Sequence, residues 1–165
     1  MDIYYLSPRG LYGAVAPFLK NIVDVFNVHT GKYLYSLVGH SDWIRDVKWS
    51  HDETMIATSS YDLTVKIWNA ITGQVIHTLK EHTISVRVIS WSPDGNWLAT
   101  GSEDAQVRLW NPQKGTMMRT LRFHKHYITL LKWSDDSLTL TSQTRFEKTT
   151  WNIETYKIME IQDLV

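Results

Sequence analysis

Cysteine is absent from the 165 residues. That removes disulfides, thiol nucleophiles and cysteine-ligated zinc together, and leaves packing to hold the fold. Neither sign of charge dominates: 17 Lys and Arg offset 17 Asp and Glu, and the sequence pI is about 7.1. A nucleic-acid clamp carries a basic surplus, so none is expected here. Long apolar runs are also missing. Leu11–Val23 is apolar but short, and Pro17 and Lys20 interrupt it, whereas a membrane helix needs about 20 apolar residues. Met1–Gly10 lacks the basic stretch and apolar core of a secretory signal, so a cytoplasmic or nuclear protein is expected. The i, i+3, i+4 patterning of amphipathic helices does not occur. At 43% apolar and 21% charged residues, the composition is that of a globular domain.

Tryptophan is plentiful, with 8 residues, and its placement is periodic. Trp49, Trp91 and Trp133 recur every 42 residues, and so do His40, His82 and His124. Trp68, Trp110 and Trp151 follow at spacings of 42 and 41. Matching segments surround them: VKIWNA (65–70) with VRLWNP (107–112), and IATSSYD (56–62) with LATGSED (98–104). A fainter copy, with Phe26 in the tryptophan place, occupies 22–40, and YLSPRG (5–10) resembles SWSPDG (90–95). The chain is one region of about four units, expected at roughly 1–40 (degenerate), 41–81, 82–123 and 124–165.

Each unit holds four short apolar runs broken by turn signals such as His51-Asp52, Asp94-Gly95, Thr72-Gly73 and Lys114-Gly115. The runs alternate and are rich in β-branched and aromatic residues, which predicts strands. In the second unit these fall near 44–49, 55–60, 65–69 and 74–79. A period of 40–45 residues with four strands points to an all-β array of propeller blades.

These residues resemble the WD-repeat β-propeller family. Its pattern is a Gly-His pair, a tight-turn Asp about two dozen residues on, and a Trp-Asp closing the third strand. Here Gly39-His40 leads to Asp62 and Trp68-Asn69, and Glu81-His82 leads to Asp104 and Trp110-Asn111. The fourth unit keeps His124 and Trp151-Asn152 but has Arg145 in the turn place. The resemblance implies a hydrogen-bonded tetrad in the two good units: His40, Ser60, Asp62 and Trp68, then His82, Ser102, Asp104 and Trp110. The fourth unit is expected to complete none. In such a tetrad the indole N–H donates to a hydroxyl, the hydroxyl to imidazole, and the imidazole N–H to carboxylate. The imidazole must then be neutral, so acid should loosen the blades.

The Ser/His/Asp trio also suggests a hydrolase. It recurs one unit later, however, and no Gly-x-Ser-x-Gly elbow accompanies it, so the structural role is preferred and no catalytic residue is assigned. No nucleotide, zinc or calcium motif occurs, so neither cofactor nor metal is expected. Arg119, Arg122, His124, Lys125 and His126 form one basic cluster, read as a solvated strand end rather than a phosphate site. The family resemblance implies a protein-interaction scaffold that binds other proteins or peptides at one rim. Trp43, Arg45, Tyr61, Arg87, Glu103, Thr129 and Thr144 are the candidate contacts. The alternatives are a ligand-binding or catalytic propeller, or nucleic-acid contact through 119–126.

Length poses a further question. Seven blades, common in this family, need about 294 residues at this period. Four blades would leave an uncovered apolar face at each end, which marks an interface or an aggregation hazard. Three arrangements follow: a piece of a larger propeller, two copies sharing an eight-bladed ring, or an open arc covered by a partner. A fragment or an assembly is expected rather than a closed monomer.

Overall fold

The computed structural model describes residues 3–164. Residues 1, 2 and 165, at the edges of the first and fourth expected units, lie outside it. No helix occurs among the described residues. Sixteen strands form four antiparallel sheets of four. Blade 1 contains β1 (Ile3–Leu6), β2 (Tyr12–Ala16), β3 (Ile22–Asn27) and β4 (Tyr33–Val38). Blade 2 contains β5 (Ile44–Trp49), β6 (Met55–Ser60), β7 (Val65–Asn69) and β8 (Val75–Leu79). Blade 3 contains β9 (Val86–Trp91), β10 (Leu98–Ser102), β11 (Val107–Asn111) and β12 (Thr116–Leu121). Blade 4 contains β13 (Leu130–Trp133), β14 (Thr139–Gln143), β15 (Glu147–Asn152) and β16 (Ile158–Asp163).

Within every blade the strands pair in chain order, as a meander of short hairpins allows. The hairpin turns need a positive φ, and the four blades meet the need differently. Gly10, Glu53, Gly95 and Ser137 occupy equivalent turns at φ between 60° and 72°. Only the two glycines do so without steric cost.

Successive blades stack face to face, with the first strand of each blade packed on its neighbour's. Three apolar clusters fill the three junctions. At the first, Val23, Val25 and Leu37 meet Val47, Ile56 and Trp68. At the second, Val65, Ile67 and Leu79 meet Ile89, Leu98 and Trp110. At the third, Val107, Leu109 and Leu121 meet Leu131, Leu140 and Trp151. The six periodic tryptophans are all buried, each removing roughly 150–250 Å² from water.

Polar bonds stitch the same junctions. Trp91 Nε1 donates to the Lys48 carbonyl and Trp133 Nε1 to the Ser90 carbonyl, both at 3.1 Å. The equivalent Trp49 makes no such bond and stacks on Tyr12 instead, with ring centroids 5.9 Å apart. Asp46 reaches forward from β5, where its Oδ2 accepts the Ile89 N–H at 3.1 Å. Burial pushes that carboxyl above its ordinary value, and Lys48 only partly opposes the shift.

The array does not close into a ring, and its two ends are unlike. The open face of blade 1 is apolar, as expected. The open face of blade 4 is not, which corrects the expectation of two uncovered apolar faces. The Leu–Val–Ala stripe that lines every other junction is replaced there by polar side chains.

Candidate functional site: the blade tetrads and the aromatic–arginine rim

The chain of hydrogen bonds inside blade 2 can be traced from both ends. Trp68 Nε1 can only donate, and does so to Thr58 Oγ1 at 2.8 Å. The Asp62 carboxylate can only accept, and takes the His40 Nδ1–H at 2.7 Å. The neutral imidazole then presents Nε2 as an acceptor, and the Thr58 hydroxyl donates to it at 2.7 Å. Blade 3 repeats the arrangement. Trp110 Nε1 donates to Thr100 at 2.9 Å, Thr100 to His82 at 2.7 Å, and His82 to Asp104 at 2.9 Å. Arg108 Nη1 adds a buried ion pair to Asp104 at 2.8 Å.

The bridging hydroxyls are therefore Thr58 and Thr100, which corrects the assignment of Ser60 and Ser102. Residues two apart on a strand share a face, so alternation alone cannot choose between them. The serines serve the adjoining turn. Ser60 donates to the Asp42 carbonyl at 2.8 Å and accepts the Asp62 N–H at 3.0 Å. Ser102 does the same with the carbonyls of Ile84 and Ser85 and the Asp104 N–H.

Blade 4 also completes a tetrad, contrary to expectation. Trp151 Nε1 donates to Ser142 at 2.8 Å, Ser142 to His124 at 2.7 Å, and His124 Nδ1 to Glu147 at 2.8 Å. Glu147 stands two residues past Arg145, where blade 2 has Thr64. The Thr64 hydroxyl already lies 3.3 Å from His40 Nδ1, so a side chain at this position points at the imidazole. The extra methylene of Glu supplies the reach. Blade 1 holds no tetrad, because Val15 and Phe26 take the hydroxyl and indole positions.

Burial alone would raise the carboxyls of Asp62 and Asp104. Hydrogen bonds from His40 and Thr64 to the first, and from His82, Thr83 and Arg108 to the second, outweigh it and hold both well below the usual carboxylate range. Burial pushes the His82 imidazole down, with Arg108 in support and Asp104 opposing. These groups are locked in structure and show no exposed nucleophile. Among the described residues no group of three His, Cys, Asp or Glu could hold a metal. His124 is withdrawn from the basic cluster into its tetrad, and the His126 ring packs against Phe146 at a tilt of 55°, with centroids 4.6 Å apart.

The rim at the other end of these turns is a different surface. The Trp43 and Tyr61 rings meet edge to face at 5.8 Å and 82°. Arg45 lies over the Tyr61 ring at 4.4 Å and donates to its hydroxyl. Glu103 Oε1 bridges Arg45 at 3.7 Å and Arg87 at 2.9 Å. Arg87 in turn covers the Tyr127 ring at 4.6 Å. One line of aromatic and charged groups thus crosses blades 2, 3 and 4. Thr129 is exposed and bonds the Gln143 carbonyl. Thr144 departs from its expected rim role. It is fully buried, and its hydroxyl caps its own turn by accepting the Phe146 and Glu147 N–H groups.

Next to Trp43 a cleft of about 390 Å³ opens between blades 1 and 2, walled by Pro17, Phe18, Leu19, Trp43, Arg45 and Tyr61. Sequence reasoning missed its blade 1 wall. The Pro17-Phe18-Leu19 tripeptide, with Phe18 and Leu19 exposed and read there only as part of a segment too short to span a membrane, was the available signal.

The stacked four-stranded sheets, three of them pinned by a Trp–hydroxyl–His–carboxylate chain, define a blade-built repeat protein of the β-propeller class. Residues 31–69 and 73–111 each match the family model described as WD domain, G-beta repeat, so these two stretches are similar to WD repeats. Each matched segment starts with the outer strand of one blade and ends with the third strand of the next. The chain is also 40% identical over 40 residues to a Lissencephaly-1 homolog of Caenorhabditis briggsae. That stretch is 24% of this chain and 10% of the relative, so the match spans only about a tenth of the relative's length. Repeats of this family generally mediate protein–protein interaction and typically form non-catalytic scaffolds.

Proposed function

We propose that the chain is a non-catalytic, protein-binding scaffold of the cytoplasm or nucleus, and that its partner docks on the rim of blades 2–4. The observation that carries this reading is the line Trp43–Tyr61–Arg45–Glu103–Arg87–Tyr127. Trp, Tyr and Arg dominate the binding energy of protein interfaces. Here they are held in place before a partner arrives, by ring stacking, a shared carboxylate and blades whose turns the tetrads lock. A partner therefore meets side chains that have little rotamer freedom left to lose. The apolar cleft beside Trp43 offers a seat for one side chain of that partner.

The test is affinity capture with quantified recovery, comparing the unaltered chain with Trp43→Ala, Arg87→Ala and the control Ile71→Ala. Ile71 is exposed in the turn after β7, at the opposite end of the blade. The expected result is loss of the same bound protein from the Trp43 and Arg87 variants and its retention by the control. Equal recovery by all three variants would refute the rim.

A further inference from the structure

Charge is spread unevenly over the two ends of the blades. The turns at the rim carry exposed Lys20, Lys80, Arg122, Lys125 and Arg145 against Asp42 and Glu81. The tetrad carboxylates Asp62 and Glu147 reduce this surplus without cancelling it, and Asp104 is offset by Arg108. The turns at the opposite end carry Asp52, Glu53, Asp94, Asp135, Asp136 and Glu154 against Arg9, Lys32, Lys114 and Lys157. The rim is therefore basic and the other end acidic, although the chain as a whole is neutral.

At the centre of the basic end lies a shared carboxylate. Arg45 and Arg87 converge on one oxygen, Glu103 Oε1, at 3.7 and 2.9 Å. Only the Arg87 contact is within hydrogen-bond reach, and Arg45 donates instead to the neutral Tyr61 hydroxyl. Each guanidinium lies over a tyrosine ring, Arg45 on Tyr61 and Arg87 on Tyr127. Stacking uses the flat face of the group and leaves its edge of N–H donors for an acceptor. All three charged side chains are partly exposed, Arg45 at 16%, Glu103 at 30% and Arg87 at 31%, so an incoming group reaches them. Arg45 also lines the cleft at Trp43, whose other lining side chains are apolar or aromatic.

On the reading that a partner docks at this rim, we propose that it does so through an acidic segment of its chain. The carboxylates of that segment take the N–H edges of Arg45 and Arg87, and an apolar side chain beside them enters the cleft at Trp43. Glu103 holds the place of a partner carboxylate in the free protein and competes with it in the complex. Charge complementarity carries the argument. Two guanidiniums share one negative charge, so the pair keeps a surplus positive charge that a carboxylate from outside balances. A basic segment would meet repulsion at the same spot, which selects against it. Exposed ion pairs contribute little each, but they steer the encounter and choose the partner. A merely positioning Glu103 would have the opposite effect on binding: its loss would loosen the arginines and weaken the complex, whereas the loss of a competitor strengthens it.

The experiment is fluorescence polarisation on the whole chain with a labelled oligoglutamate peptide that carries one central leucine. The same peptide with lysine, and with glutamine, in place of glutamate gives the controls. Only the glutamate peptide is expected to bind, and more weakly as salt is raised. Arg45→Gln and Arg87→Gln should each weaken it about two- to fivefold, the range of a solvent-exposed ion pair. Glu103→Gln should tighten it by a similar factor. Trp43→Ala should weaken the leucine-bearing peptide and leave plain oligoglutamate as it was. Far-ultraviolet spectra check that each variant is folded. Equal binding of the glutamate and glutamine peptides, or weaker binding with Glu103→Gln, would overturn the proposal. So would an oligodeoxythymidine bound as well as the glutamate peptide, which would point to phosphate instead. The rim itself is tested separately. A captured protein that is lost with Trp43→Ala and Arg87→Ala, yet is not displaced by the glutamate peptide, would leave the rim standing and overturn its acidic partner.

Discussion

Thr58 and Thr100 each serve two buried partners at once, an indole N–H and an imidazole nitrogen. Thr58→Val keeps the volume and removes the hydroxyl, leaving both partners unsatisfied. The expected loss is about 2–6 kcal/mol, from roughly 1–3 kcal/mol for each of the two orphaned buried groups. Ser142→Ala in blade 4 should behave alike, and denaturant midpoints check both. Asp104→Ala should cost more than Asp62→Ala, on the order of 3–5 kcal/mol, because it also leaves the Arg108 guanidinium buried without its carboxylate. In blade 4 the matching test is Glu147→Ala; Arg145→Ala, at an exposed residue, should change little. The pH dependence follows from the same groups. His82 has a depressed pKa, so its stabilisation is present above the ordinary histidine value of about 6.5 and is lost as pH falls below it. Asp62 and Asp104 are also depressed, and their contribution disappears only as pH falls below about 3.8. Unfolding midpoints measured from pH 7 downward should decline in two stages, the first absent in a His82→Gln variant.

At the scale of strands and sheets, spacing alone located nearly everything. The four strands expected in the second unit coincide with β5 to β8 to within one residue. A strand's alternation and a turn's chemistry are local, and a repeat displays them several times over. The hydroxyl of each tetrad was illegible because positions 58 and 60 point the same way and differ only in depth. Glu147 was illegible because its role depends on where a histidine from 23 residues upstream arrives. Junctions also differ in ways the period conceals. Trp91→Phe should cost about 1 kcal/mol more than Trp49→Phe, since only Trp91 donates to the preceding blade. Gly101→Ala should destabilise by about 1–3 kcal/mol, because a Cβ there would sit 2.6 Å from Ile128 and 2.9 Å from Val88. Thermal unfolding of purified variants checks both.

For the molecule as a whole, stability is carried by neighbour-on-neighbour interfaces. An array that does not close has two blades with one neighbour each, and such units open first. Hydrogen exchange should therefore be slowest in β5–β7 and β9–β11, which have a packed blade on both sides. It should be fastest in β16, exposed along its whole length. Uniform protection across the four sheets would argue that both open faces are covered. The blade count, the order of strands and the buried indoles were all present in the one-dimensional pattern, because a forty-two-residue period states them repeatedly. Which hydroxyl closes each tetrad, that Thr144 lies inside rather than on the rim, and that the last face is polar while the first is apolar emerged only from the folded coordinates. Those features depend on depth and on cross-strand register, and neither quantity is set by distance along the chain.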